Sequence, residues 1–564
     1  MRIGRLNLIL LIFFSATIPA SAQPDFSATR PQVEQRILDP LPTAQPEPPM
    51  GVRARANNPI DQFIAANWAK YRVIPHALCS ENEFVRRAYL DITGVIPTVD
   101  QVTAYLESST TNRRPNLIDE LLASPRYADH WTAFWGDLLR EQSYVQGVEV
   151  NSFRRYIRQS LHHNKRYDQW VWEMITATGM AKDNPAANFI LRDRGNDENL
   201  TIATTQVFLG TQLKCAQCHD HPFDVWEQRD FNDMQKFWSG TRTPVGRQEK
   251  VGDENSMRTI PFFAVVGGTN SSSRFFTDER PDAGYAGRVA LADWIVRPQN
   301  PYFARVAVNR LWAELMGRGL VDPPDGFSVL NPASHPALLD WLAIEFINSD
   351  YDLKHILRLI LNSRTYQLSS VDTGVKRAPV PEKAILDGEV IKDLTGNYLD
   401  AETGLPIVLF DAMPIRRMTA EQLHDSILIS TGLYQLNPER YTPAVERRYP
   451  DNNGFLGLFG SPDREIIQAR QTEATIPQAL ELLNGWFINY GVALHEENPI
   501  KRWIVQGVDG PEILRRLYLH TLSREPMRSE VRTVKRYIGD GRQPERWSDV
   551  HWALINTREF MFIK

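Results

Sequence analysis

The sequence predicts a mainly α-helical protein, in which two helical domains are joined by a long irregular linker with minor β structure. Three observations carry this prediction: apolar residues recur at helical spacing over most of the chain, capping residues precede these stretches, and one glycine-rich interval interrupts them. A signal peptide and a proline-rich tether are predicted to come first. The predicted limits are 1–22 for the signal peptide, 23–57 for the tether, 58–240 for the first domain, 241–287 for the linker and 288–564 for the second domain.

The composition is that of a globular protein. Of the 564 residues, 42% are hydrophobic and 23% are charged, which excludes bulk disorder, collagen and coiled coil. The 63 basic residues are balanced by 68 acidic ones. Because no general positive field results, we expect no nucleic-acid partner.

The first 22 residues have the three parts of a Sec signal peptide. Arg2 and Arg5 are positively charged, residues 6–14 are almost wholly apolar, and Ala20-Ser21-Ala22 is a small-residue cleavage site. No later stretch has the roughly 18 apolar residues that a membrane span needs. We therefore expect a periplasmic or secreted protein that does not span the membrane after cleavage, with residues 23–57 as a flexible tether.

Helix signals define the first domain. Ser80 and Glu83 have the spacing of a capping box, and Gly94 is a helix stop. Ser124 and Pro125 form a cap and first-turn pair. The helix that follows carries aromatic residues on one stripe, which are predicted to be core: Tyr127, Trp131 and Trp135.

The linker is set apart by glycines and by one β-like run, TIPFFAVVGG, at residues 259–268. Helical spacing returns at Arg288, with a helix stop at Gly317 and a break at Ser349-Asp350. Further helices are predicted at 420–430, 477–495, 511–522 and 548–556.

The sharpest chemical signal lies in the cysteines. Three cysteines are too few for a disulfide framework in a chain of this length. Cys79 precedes a capping box and is predicted to be a buried packing residue. The segment CAQCH at 215–219 is a complete c-type haem attachment motif. Cys215 and Cys218 are spaced to meet the two vinyl groups at one edge of a porphyrin, and His219 then directs an imidazole at the iron.

Three other interpretations of this motif stay open. Cys215 and Cys218 would suit a thioredoxin-like redox pair, although no βαβ pattern surrounds them. They would also suit a structural disulfide. Together with His219 and His221 they would supply zinc ligands, although adjacent ligands strain a tetrahedral shell.

The sixth iron ligand is also undecided by the sequence. The candidates are His221, Met234 and Met257. His221 is close to His219 and is better suited to a supporting or metal-binding role. Met234 has the helical spacing of a core residue, whereas Met257 lies in the linker.

The sequence contains no HExxH, GxSxG, P-loop or GxGxxG motif, so catalytic residues are unknown. The favoured function is an exported haem c protein that transfers electrons with a redox partner protein. The alternatives are a non-redox exported binding or scaffold module, with the cysteine pair structural or zinc-bound, and a carbohydrate-active enzyme using acids such as Asp224 and Glu227. The sequence does not indicate the oligomeric state.

Two long segments resemble a known pair of domains. The stretch around QVFLGTQLKCAQCHDHPFDVWEQRDF resembles the planctomycete-type cytochrome c-like domain. The stretch from NPYFARVAVNRLWAELMGRG and the closing DVHWALINTREFMFIK resemble its C-terminal partner domain of unknown function. The resemblance covers nearly all of residues 58–564. It implies thioether attachment at Cys215 and Cys218, axial ligation by His219 and an HPFD continuation at 221–224, but no established activity.

Overall fold

The computed structural model describes residues 35–49, 58–145, 148–149, 151–244, 247–250, 257–260, 264–267, 273–282, 287–371, 390–392, 398–434, 443–446, 454–467, 470–471, 473–539 and 543–564. The predicted signal peptide, residues 1–22, lies outside the described residues. The protein is mainly helical with a small amount of strand, as the sequence predicts.

The helices before the linker are short and follow one another closely. They are α1 Pro59–Lys70, α2 Glu81–Thr93, α3 Val99–Glu107, α4 Arg113–Ala123, α5 Pro125–Leu138, α6 Asn151–His162, α7 Tyr167–Thr176, α8 Asn188–Leu191, α9 Asp197–Leu209 and α10 Gln228–Lys236. Short 3₁₀ turns cover Pro185–Ala187 and Lys214–Gln217.

The second group of helices begins after the linker. They are α11 Gly287–Val296, α12 Phe303–Met316, α13 Pro336–Asn348, α14 Leu353–Leu361, α15 Ala420–Thr431, α16 Pro443–Glu446, α17 Phe455–Leu458, α18 Ile476–Asn484, α19 Trp486–Val492, α20 Pro499–Val505, α21 Gly510–Leu522, α22 Arg528–Ile538, α23 Glu545–Ile555 and α24 Arg558–Met561.

The described strands form two-stranded antiparallel pairs. They are β1 Tyr144–Val145 with β2 Val148–Glu149, β3 Gly179–Met180 with β6 Ala264–Val265, β4 Arg247–Lys250 with β5 Met257–Ile260, β7 Val390–Lys392 with β8 Tyr398–Asp400, and β9 Arg416–Arg417 with β10 Phe562–Ile563. The β-like run predicted in the linker thus contributes to β5 and β6.

The predicted helix signals are largely confirmed. Ser124 caps α5 through its hydroxyl, with Pro125 in the first turn, and Gly94 ends α2 in the left-handed conformation. The capping box at Ser80 forms only in part: Ser80 Oγ accepts a hydrogen bond from the amide of Glu83, but the Glu83 carboxylate binds Arg87 instead of reaching back. A charge-assisted bond to a guanidinium is stronger than one to a backbone amide.

One predicted helix of the tail is in fact two helices. The run 477–495 is interrupted at Gly485, whose extended backbone (φ −59°, ψ 141°) ends α18 and begins α19. The break predicted at Ser349-Asp350 is confirmed, because α13 ends at Asn348 and α14 begins at Leu353. The helices α20 and α22 were not predicted.

The aromatic stripe of α5 is buried, as predicted: Tyr127, Trp131 and Trp135 are each 1% exposed. They belong to a large apolar cluster that includes side chains from both sides of the linker. A second cluster joins the C-terminal helices from residue 418 onwards to Leu90, Val95 and Ile96 at the end of α2. Side-chain packing therefore divides the chain near 413–418, and the predicted domain limits stay a prediction.

Residues 35–49 of the predicted tether lie against the folded body without forming helix or strand. The guanidinium of Arg36 pairs with Asp230 and donates to the carbonyl of Val225 at 3.0 Å. Farther along, the Gln45 side chain donates to the carbonyl of Trp341 at 3.2 Å. This stretch was predicted to be flexible; it is instead held by contacts with both groups of helices.

Among the described helices, none is both long enough and apolar enough to pass through a membrane.

Three buried histidines make the stability dependent on pH. Burial lowers the pKa of His335 and His520 to about 4 and that of His551 to about 3, from an ordinary value of 6.5. Between pH 6.5 and pH 4 the unfolded chain therefore binds more protons than the folded chain. The contribution of these histidines to stability is complete above pH 6.5 and falls as the pH drops toward 4.

We expect the urea midpoint to fall between pH 7 and pH 5, with each histidine contributing up to about 1.4 kcal/mol per pH unit. His551→Gln should reduce the slope by one proton relative to the wild type. A midpoint that is constant over this interval in both proteins would contradict the assignment.

Candidate functional site: the Cys-X-X-Cys-His turn

The CAQCH motif follows the end of α9, which is fixed by Gly210. This residue is in the left-handed conformation (φ 61°), and a Cβ added to it would lie 2.7 Å from Phe327 Cδ2 and 2.8 Å from Val306 Cγ2. Only glycine therefore allows the end of α9 to pack this closely on α12 and the loop after it. The motif starts from a point that is fixed by both groups of helices.

The motif itself lies on the 3₁₀ turn Lys214–Gln217. Leu213 and Ala216 are fully buried on the inner side of this turn, whereas Cys215, Cys218 and His219 are exposed. Side chains at positions i and i+3 of a 3₁₀ helix stand on the same edge. The turn therefore directs both thiols to one side while its inner face is anchored in the core.

The first residue of α10 holds the far end of the turn. The Gln228 side chain donates to the carbonyls of Gln217 and Cys218, at 3.3 and 3.0 Å. Its backbone amide donates to Asp220 Oδ1 at 3.0 Å. These bonds fix the backbone on which Cys218 and His219 stand.

The tautomer of His219 follows from its neighbour. His219 Nδ1 lies 2.7 Å from the carbonyl oxygen of Asp220, which can only accept, so Nδ1 carries the proton. The lone pair is then on Nε2. A hydrogen bond of this kind to a backbone carbonyl is the usual support for an imidazole that binds a metal through its other nitrogen.

The HPFD segment after the motif forms a compact turn. The amide of His221 donates to the carbonyl of Trp226 at 2.8 Å, and His221 Nδ1 accepts from the amide of Phe223 at 3.2 Å. Burial, with His219 nearby, lowers the pKa of His221 against the opposing effect of Asp224. The Phe223 ring is 76% exposed and lies beside the motif as an uncovered apolar surface.

The loop after α12 braces both sides of the motif. Before the motif, the amide of Phe327 donates to the carbonyl of Gly210 at 2.9 Å. After the motif, Ser328 Oγ donates to Asp224 Oδ1 at 2.6 Å. These contacts come from a segment about one hundred residues later in the chain, and no local pattern in the sequence predicts them.

Asn309 sets the course of this bracing loop. Its side chain is fully buried on α12, where Oδ1 accepts from the amides of Leu320 and Val321 at 2.7 and 3.0 Å. Nδ2 donates to the carbonyl of Val321 at 2.8 Å. All of its hydrogen-bonding atoms are thus used to turn the chain toward Phe327 and Ser328.

The candidate sixth ligands lie in different surroundings. Met234 is 1% exposed and packed in the large apolar cluster, as its helical spacing predicts. Met257 is the first residue of β5, opposite Lys250 on β4. His221 is half-buried next to the motif. The assignment of a sixth ligand stays a prediction.

The alternative roles of the cysteines differ in how well the geometry suits them. Cys215 and Cys218 are both free thiols and form no disulfide, and Cys79 is buried as predicted. Within the described ranges, which include the whole motif, no three His, Cys, Asp or Glu side chains are arranged as a metal-binding group. The zinc interpretation, which needs four ligands from 215–221, gains no support from this arrangement.

The fold and this turn define a helical protein with an exposed Cys-X-X-Cys-His motif that is braced by a second helical segment. Residues 59–243 match the family model PSCyt2, described as a protein of unknown function (DUF1549). Residues 287–453 match PSD1, a protein of unknown function (DUF1553). Two segments of the chain thus match models of paired domains of unknown function, and the link to cytochromes rests on the name of the first model. No curated protein and no solved structure matches the chain.

We expect two of the three thiols to react in the native chain. In protein made without haem attachment, Cys215 and Cys218 should react rapidly with Ellman's reagent because they are exposed. Cys79 should react only in urea, because it is 3% exposed and burial raises the pKa of its thiol. Three fast thiols, or none, would contradict this arrangement.

The brace can be tested by hydrogen exchange. Ser328→Ala removes the donor to Asp224 and should speed amide exchange in residues 221–228 by about tenfold, the equivalent of about 1.4 kcal/mol. Ser349→Ala is a matched control, since its hydroxyl bonds only locally to the carbonyl of Phe346 at 3.1 Å. Equal exchange in both variants would show that the brace does not hold the turn.

Proposed function

We propose that the protein is an exported c-type haem protein that transfers electrons through one haem attached at Cys215 and Cys218, with His219 as axial ligand. The observation that carries the proposal is the turn itself: two free, exposed thiols stand on one edge of a 3₁₀ turn, with an imidazole next to them. A haem in this position supplies one-electron transfer, with a potential set by the axial ligands.

The residues present fit this group in three respects. Both thiols are free for thioether formation. His219 has the tautomer that leaves the lone pair on Nε2, because its Nδ1 donates to Asp220. The inner face of the turn is anchored by Leu213 and Ala216, so the outer face is held in place.

The remainder of the site keeps these groups in position. Gln228 fixes the backbone after the second thiol, and Ser328 fixes Asp224 in the turn that follows. The exposed Phe223 ring offers an apolar surface beside the motif, suited to contact with a porphyrin edge or with a redox partner. These roles belong to positioning residues.

Export is the second part of the proposal. Residues 1–22 have the charge, apolar run and cleavage site of a signal peptide. Cytochrome c maturation takes place outside the bacterial cytoplasm, so the motif and the signal support one another. Intact mass of the protein from a periplasmic fraction should correspond to a chain that begins at Gln23, with or without the mass of haem.

We expect covalent haem in the chain that is co-expressed with a cytochrome c maturation system. The denatured protein should show a pyridine haemochrome band, and the double variant Cys215→Ala, Cys218→Ala should show none because both thioether bonds are lost. The matched control is Cys79→Ser, which should keep the full band because Cys79 is buried away from solvent. A wild-type chain without the band would refute the haem assignment.

His219→Ala separates attachment from ligation. This variant should keep covalent haem, because both cysteines are present, but should have an altered Soret band and reduction potential.

Metal analysis of chain made without haem addresses the alternative of a non-redox scaffold. One zinc per chain, lost in Cys218→Ala, would favour that alternative over the proposal.

A further inference from the structure

A groove lies among the last helices of the chain and contains no residue of the CAQCH turn. It is formed by α20, α21, α22 and α23 and has a volume of about 550 Å³. We call it the C-terminal groove. Sites for small molecules commonly have volumes of about 300–1,000 Å³. All four helices lie beyond residue 453, where the match to PSD1 ends, so the groove belongs to neither of the matched segments.

The floor of the C-terminal groove is apolar and buried. It consists of side chains from α21, α22 and α23 that are at most 9% exposed: Ile513, Leu514, Val534, Ile538 and Trp547. All five belong to the second apolar cluster. The groove therefore opens onto the core of the C-terminal helices, and a ligand in it would contact that core directly.

The walls of the C-terminal groove are apolar as well, but solvent reaches them. Ile504 on α20, Val508 in the loop after it and Val531 on α22 line the groove and are half-buried. Apolar surface that is left in contact with water costs free energy. A hydrocarbon chain that fills the groove would remove the surface of these walls, and its own, from water.

The helices around the C-terminal groove are held against one another. Arg546 on α23 donates to the carbonyl of Tyr537 at 2.7 Å and so ties the end of α22 to α23. At the start of α21, a Cβ added to Gly510 would lie 3.6 Å from Trp547 Cζ2, which places this backbone beside the indole ring. The groove is therefore formed without a ligand, and little ordering is needed when one binds.

One charged residue is found among the described residues that line the C-terminal groove. This residue is Lys535, which is exposed on α22. It follows Val531 by four residues, so the two side chains share one face of the helix. No Asp or Glu is among the described lining residues, and within the described part of the chain no carboxylate forms an ion pair with the Lys535 ammonium group. The apolar groove thus carries a positive charge that its own lining does not neutralise.

We propose that the C-terminal groove binds a free long-chain carboxylate of the fatty-acid class, with the carboxylate paired to Lys535 and the hydrocarbon chain on the apolar floor. A flexible hydrocarbon chain suits a floor and walls that are mostly aliphatic. A negative head group, in place of a neutral or cationic one, suits the single ammonium group. This inference does not rest on the proposed function.

The proposal can be tested by isothermal titration calorimetry with the full-length chain and three probes that differ in the head group: decanoate, decanol and decyltrimethylammonium. Decanoate should bind about fivefold more tightly than decanol, the effect of one ion pair at an exposed lysine, and decyltrimethylammonium more weakly than decanol. In the series octanoate, decanoate and dodecanoate, each step of two methylenes should strengthen binding about tenfold. All probes are used below the concentrations at which they form micelles.

Two variants separate the head group from the chain. Lys535→Gln should weaken decanoate about fivefold and leave decanol unchanged, because only the ion pair is lost. Val531→Trp fills the groove and should weaken both probes at least tenfold. The matched control is Arg536→Gln, since Arg536 is the next residue of α22, is exposed and does not line the groove. It should bind both probes like the wild type.

Circular dichroism should show that each variant is folded; if Val531→Trp is not, Lys535→Gln and the chain-length series decide the test. Absence of decanoate binding, equal affinity for the three head groups, or equal affinity along the chain-length series overturns the proposal. Binding to phosphatidylcholine vesicles without binding of decanoate also overturns it, in favour of contact with a membrane surface. Each outcome is the same whether or not haem is attached, so failure here leaves the proposed function untouched.

Discussion

The geometry of the motif depends on one buried amide. Asn309 uses its whole side chain to hold the backbone of Leu320 and Val321. The loop that follows carries Phe327 and Ser328 to the two sides of the CAQCH turn. Because a fully buried amide without its partners costs about 1–3 kcal/mol, the loop is held on this course. The position of the exposed thiols therefore depends on Asn309, a buried residue of α12.

This dependence gives a physical reason for the pairing of the two family segments. The PSCyt2 segment contains the thiols and the imidazole, but the brace on Asp224 comes from Ser328 in the PSD1 segment. The large apolar cluster is continuous across both segments. Each segment by itself would expose part of that cluster, so the pair is the unit that packs.

The structural features that were predicted correctly from the sequence are those that depend on the spacing of neighbouring residues. The cap at Ser124, the buried stripe of α5 and the burial of Cys79 follow from neighbouring residues and were confirmed. Two features were missed because they depend on distant partners: the attachment of residues 35–49, and the roles of Ser328 and Asn309. The motif was visible as CAQCH, but the tautomer of its histidine and its brace are properties of the fold.

The contacts of α2 have a consequence for the order of events during synthesis. Arg86 donates to the carbonyl of Phe560, 474 positions later, and Arg87 donates to that of Lys564. At ~5–20 residues per second, residues 215–219 leave the ribosome tens of seconds before these partners. During that interval α2 lacks its final contacts and the bracing loop has only recently been made. The contacts that complete the packing of α2 can therefore form only after the last residues of the chain have been made.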